Sequence, residues 1–107
     1  MKATVIEYTT NSGVSPFAEW FKGINAPAAA KVAAAIYRME NGNFSNVKSV
    51  KGRVYEYKID FGPGYRIYLG QEGDTLTILL GGGTKKQQSK DIEKAKICWQ
   101  DYKKQSR

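Results

Sequence analysis

The sequence predicts an α+β fold, with elements in the order β-α-α-β-β-β-α and an antiparallel-rich sheet packed against a helical hairpin. Three observations carry that prediction. Apolar residues recur at helical spacing in two early segments and again at the end of the chain. Between them, from Arg53 to Leu80, the period is two and turn residues interrupt it. The chain has 107 residues, with no repeat and no linker, so residues 1–107 read as a single domain.

Thr4-Val5-Ile6-Glu7-Tyr8-Thr9 is rich in β-branched and aromatic residues and reads as a strand, followed by a loop at Asn11-Ser12-Gly13. Ser15-Pro16 opens a helix: serine caps free N–H groups, and proline in the first turn loses no hydrogen bond. Phe17, Trp20, Phe21 and Ile24 form its apolar stripe, and Gly23 marks its end. Asn25 and Pro27 open a second helix, with Ala28, Val32, Ile36 and Met39 on one face and Asn41-Gly42 as its stop. Two helices joined this closely predict an antiparallel hairpin.

Val54 to Asp60 alternates, Phe61-Gly62-Pro63-Gly64 turns the chain, and Tyr65 to Gly70 returns, which is a β-hairpin. After a turn at Glu72-Gly73-Asp74, Thr75 to Leu80 is apolar nearly throughout, as expected of a strand covered on both faces; Gly81-Gly82-Gly83 is its expected end. Thr84-Lys85-Lys86-Gln87 fits a capping box for a last helix whose narrow stripe is Ile92, Ala95, Trp99 and Tyr102.

Composition excludes several function classes. Histidine is absent and Cys98 is the sole cysteine, so no internal disulfide, no Cys/His zinc site and no imidazole-dependent triad can form. A lone cysteine fits a reducing, cytoplasmic setting. No apolar run reaches the length of a membrane helix, and the N-terminus lacks the apolar core of a signal peptide. Acid–base chemistry is left to Lys, Asp, Glu, Tyr or Cys98. The net charge is +7, with +5 of it in residues 83–107. A polyanionic partner and a solvated lysine-rich helix both account for that charge.

Alternation sorts the hairpin by face. Tyr57, Ile59, Tyr65, Ile67 and Leu69 are the core candidates. If the helical hairpin covers them, the opposite face carries Glu56, Lys58, Arg66 and Tyr68 as an open patch, with Lys85 and Lys86 beside it. Such a cluster suits a phosphodiester. Arginine grips phosphate oxygens bidentately, lysines add positive charge, and tyrosine stacks on a base or donates a proton. The same residues also suit a cross-strand ion-pair ladder, with Tyr68 covering sheet surface. The triglycine lacks the Gly-Lys-Ser/Thr ending of a phosphate loop. Cys98 lies beside an apolar stripe and is expected to be partly buried and inert.

The run Val54-Tyr55-Glu56-Tyr57-Lys58-Ile59-Asp60-Phe61-Gly62-Pro63-Gly64-Tyr65-Arg66-Ile67-Tyr68 resembles the hairpin of the RelE/ParE toxin superfamily, most closely its HigB-like addiction module killer branch. Phe17-Ala18-Glu19-Trp20, Glu40-Asn41-Gly42-Asn43-Phe44, and Gly82-Gly83-Thr84-Lys85 leading to Asp91-Ile92-Glu93-Lys94-Ala95-Lys96 are similar to the same branch. The resemblance implies a RelE-like fold and a type II toxin neutralised by a helix-turn-helix antitoxin. It implies an endoribonuclease that cuts mRNA on the ribosome with no cofactor and no metal, using the 2′-hydroxyl as nucleophile. ParE-type members instead poison DNA gyrase. A third expectation is a partner module that meets operator DNA only through the antitoxin.

By position, Arg66, Lys58 and Lys85 match the basic residues of the family's site, with Glu56 as a further catalytic candidate. Tyr68, Lys86 and Arg53 are candidates for substrate binding. Glu56 stands where many of the nucleases carry a second basic residue, and no Tyr or His follows Lys85-Lys86.

Overall fold

The structure is a computed structural model and describes residues 2–105. Its elements are β1 (Thr4–Glu7), α1 (Pro16–Gly23), α2 (Ala26–Glu40), β2 (Val47–Ser49), β3 (Val54–Ile59), β4 (Tyr65–Glu72), β5 (Leu76–Thr84) and α3 (Gln88–Gln105), with a 3-10 turn at Lys85–Gln87 before α3. The expected order is thus short by one strand, β2. Three residues carry no readable period; β2 exists because β3 offers it an antiparallel partner, with Val47 opposite Tyr57, Lys48 opposite Glu56 and Ser49 opposite Tyr55.

The first two helices begin where their caps stand. Ser15 Oγ accepts a hydrogen bond from the Ala18 N–H at 3.0 Å, and Asn25 Oδ1 accepts one from the Ala28 N–H at 2.9 Å. The expected cap at Thr84 is absent: this residue closes β5 and makes no side-chain cap bond. The triglycine therefore lies inside β5 rather than ending it. Its glycines are needed for close approach. A Cβ on Gly82 would enter the Trp20 ring, and one on Gly83 would enter the Asp91 carboxylate.

The strands form one sheet in the order β1-β5-β4-β3-β2, antiparallel except for the β1–β5 pair. Between Tyr68 and Leu69 the β4–β5 register steps from Gly81 to Leu79, leaving Leu80 as a bulged residue. Helices α1 and α2 lie on one face, where Phe17, Val32, Ala35 and Met39 pack on Tyr57, Ile59, Tyr65, Ile67, Leu69 and Leu79. Helix α3 lies on the other, where Ala95 and Trp99 pack with Val54, Tyr68, Ile78 and Leu80. The face expected to be open is therefore covered. The stripe of α3 needs an apolar surface, and Gly70 of β4 supplies a flat seat for the Trp99 ring, which a Cβ there would displace.

Candidate functional site

Hairpin register brings the basic candidates together. In the β3–β4 pair Lys58 lies opposite Arg66, and Glu56 lies opposite Tyr68. The turn between these strands closes with the Gly64 N–H donating to the Phe61 carbonyl at 2.9 Å. Gly64 has φ +82°, a conformation that favours glycine. Its carbonyl accepts from the Lys85 N–H at 2.8 Å and from Arg66 Nη1 at 3.4 Å. The 3-10 turn is thereby tied to the hairpin tip. Lys58, Arg66 and Lys85 converge at one end of the sheet.

Burial there differs from expectation. Glu56 is 0% exposed and Arg66 4% exposed, so the patch is no open surface at these two positions. A buried charge must be paired and hydrogen-bonded. Glu56 Oε2 accepts a hydrogen bond from Gln88 Nε2 at 2.8 Å and lies 3.5 Å from Arg66 Nε, while Lys48 Nζ stands 3.8 Å from Oε1. The carboxylate thus sits among Arg66, Lys48 and Gln88. It reaches no solvent, so it orients Arg66 and does not meet a substrate as a base.

Tyr68 is also fully buried, beneath α3. Its ring presents no face to a base, and the stacking role expected from the sequence is lost. Its hydroxyl has no hydrogen-bond partner among the described residues. Burial pushes the phenol pKa up, the Glu56 carboxylate and Asp91 add to the rise, and Arg66 opposes it. Asp91, in the first turn of α3, is raised by burial against the pull of Lys94 and Lys90.

Among the remaining candidates, Lys58, Lys85, Lys86 and Arg53 are exposed. Lys86 adjoins Lys85 in the 3-10 turn. Arg53 does not join the site. It sits in the β2–β3 turn at the opposite end of β3 from Lys58, with φ +64° in a left-handed run with Lys51 and Gly52. Two residues that hold the cluster together were missed from the sequence, Gln88 and Lys48. The available signal was Glu56 itself: a carboxylate on a strand face that also carries Tyr68 requires donors, and the start of the last helix supplies one. Cys98 is half-buried, with burial first and Asp101 second raising its thiol pKa.

The arrangement is suited to holding an anion. A guanidinium is held by an Nη1 hydrogen bond to the Gly64 carbonyl and stands 3.5 Å from the Glu56 carboxylate, with Lys58 opposite it on the neighbouring strand and Lys85 in the adjoining turn. No group of three or more His, Cys, Asp or Glu side chains placed to hold a metal occurs among the described residues. No helix among them is long and apolar enough to cross a membrane.

Fold and site define the class of molecule: a small α+β domain whose sheet, mostly antiparallel, carries a buried carboxylate–guanidinium cluster under its last helix. No protein-family model matches the sequence. The chain is 44% identical over 86 residues to an uncharacterized protein of Haemophilus influenzae, an alignment covering 79% of this chain and 87% of that protein. The chain belongs to the same family as that Haemophilus protein.

Proposed function

We propose that this chain is a RelE-like toxin of a type II toxin–antitoxin module, an endoribonuclease that cuts mRNA and is neutralised by a helix-turn-helix antitoxin. The observation that carries the reading is the convergence of Lys58, Arg66 and Lys85 at the hairpin tip. In the proposed reaction the ribose 2′-oxygen attacks the adjacent phosphorus as its proton passes to water, the P–O5′ bond breaks, and the 5′-oxygen takes up a proton, leaving a 2′,3′-cyclic phosphate and a 5′-hydroxyl. Negative charge builds on the non-bridging oxygens as the P–O bond forms. Lys58 and Lys85, both exposed, meet that charge directly. Arg66, almost wholly buried beside Glu56 and the Gly64 carbonyl, adds fixed positive potential from beneath them. The buried Glu56 and Tyr68 take no part in proton transfer to substrate, which leaves the exposed lysines to stabilise the leaving oxygen and water to accept the 2′-hydroxyl proton.

The test is a coupled translation reaction programmed with a reporter mRNA, with cleavage mapped by primer extension. The wild-type chain is expected to cut the message. Lys58→Ala and Lys85→Ala, both at exposed positions, are expected to keep the wild-type melting temperature. Each is expected to lower the rate by a factor on the order of 10–10³. Intact message with inhibited DNA supercoiling would overturn the nuclease reading in favour of a gyrase poison.

A further inference from the structure

Lys58 borders a second feature. At the β2 edge of the sheet a groove of about 540 Å³ runs between α2 and the β3–β4 turn, lined by Lys31, Arg38, Lys48, Lys58, Asp60 and Phe61. Four cationic side chains meet one carboxylate there. Lys31 and Arg38 are seven residues apart, two helical turns and about 10 Å along one side of α2. The Lys31 ammonium lies over the Phe61 ring, 5.4 Å from its centroid, which fixes the charge at the groove's edge. Lys31, Arg38 and Lys58 form no ion pair with any carboxylate among the described residues, while Lys48 shares its charge with Glu56.

Like charges gathered around a cleft concentrate field lines within it, and three of these four have no partner to offset them. We propose that this groove is the path of the RNA strand outside the cleavage site: a single-stranded segment held at Lys85 crosses Lys58 and continues along Lys31 and Arg38, its phosphates on the cations. The proposal rests on the nuclease reading for the identity of the strand. Continuity carries the assignment, since Lys58 belongs to both the hairpin cluster and the groove lining. A flexible backbone with one charge per nucleotide can follow the bend from the strand end to α2. The cations take the phosphates, so the groove contributes affinity through the backbone.

The test uses a fluorescent all-2′-O-methyl RNA oligonucleotide, which lacks the attacking hydroxyl and stays whole, with binding followed by anisotropy across a salt series. The double variant Lys31→Gln/Arg38→Gln is expected to bind roughly tenfold more weakly at low salt, with the slope of log affinity against log salt shallower by about 1.4, from about 0.7 per lost phosphate contact on a single strand. Both positions are exposed, so its thermal melt should match the wild type. Lys31→Arg/Arg38→Lys, which keeps the charge, should bind as the wild type does. Lys90→Gln/Lys104→Gln, exposed on α3, should change binding far less. Equal losses in the two glutamine pairs, or an unchanged slope in the first, would overturn the proposal. So would a loss of poly-glutamate binding in Lys31→Gln/Arg38→Gln with RNA binding intact, which would make the groove a site for an acidic protein. Cleavage is no part of this readout, so a chain that binds RNA through the groove and never cuts it overturns the nuclease reading alone.

Discussion

On one face of the sheet, α1 and α2 close over Ile67, Leu69 and Leu79 with no buried charged side chain among the described residues. On the other, α3 closes over Tyr68, Ile78 and Leu80 and, toward the hairpin tip, over Glu56 and Arg66. Both faces are covered, but they are held differently. The first depends on shape, and its contacts add in small increments. The second combines an apolar half, where Trp99 sits on Gly70, with a polar half in which each charge is tolerable only while its partners stay. One helix thus seals a core and buries the guanidinium proposed to lend its charge to the phosphate site.

The largest difference between the faces should come from Glu56→Ala. It leaves Arg66 buried without its carboxylate, and a stability loss of about 3–5 kcal/mol is expected by urea denaturation. Replacing both partners, as Glu56→Leu/Arg66→Met, should recover most of that loss, because an apolar pair has no charge to desolvate. If the double variant is no more stable than Glu56→Ala, then the charges are not what makes this face fragile. Gln88→Ala removes the one 2.8 Å hydrogen bond to Glu56 and should cost about 1–3 kcal/mol. Ile67→Val, a single methylene on the apolar face, should cost about 0.5–1.5 kcal/mol in the same assay. A loss above that of Gln88→Ala would reverse the ranking of the two faces.

The smallest loss is expected at Tyr68. Its buried hydroxyl makes no hydrogen bond of good geometry, so Tyr68→Phe removes a desolvated polar group and should leave stability near pH 7 unchanged or higher by up to about 1–3 kcal/mol. The alkaline limb should separate the two proteins. The folded-state pKa is raised above the unfolded value of about 10. The tyrosine's contribution is therefore fully present below pH ~10 and is lost as pH rises from there toward the folded pKa. Tyr8, whose hydroxyl donates to Asp101 Oδ2 at 2.6 Å, is raised by burial first and by that bond next, so it acts in the same direction. Stability against pH should fall less steeply in Tyr68→Phe than in the wild type above pH ~10, and superimposable curves would show that the phenol is not held neutral by this face.

Local signals in the chain were enough to locate α1 and α2. Ser15 and Asn25 make the bonds their positions predicted, because a cap is decided within four residues. The hairpin's two faces were legible for the same reason, since alternation needs no distant partner. The cap at Thr84 was misjudged because that residue is still paired with Tyr65 when the capping pattern begins. The site was only half legible. Register and spacing put Lys58, Arg66 and Lys85 together, but nothing local says whether a strand face is covered. Its exposure depends on α3, which arrives 22 residues after Arg66.

Composition and local pattern, then, were sufficient for the helices, the hairpin, the alternating faces and the surplus of positive charge, each of which depends on neighbours within one or two turns. Strand β2, the parallel pairing of β1 with β5, the burial of Glu56, Arg66 and Tyr68, and the donor role of Gln88 depend on pairs far apart in the chain: Gln88 lies 32 residues from Glu56, and Thr4 pairs with Leu76. Such contacts form only when the whole sheet and its two covering layers assemble, because the entropy of closing long loops is repaid by the collective burial and not by any one contact.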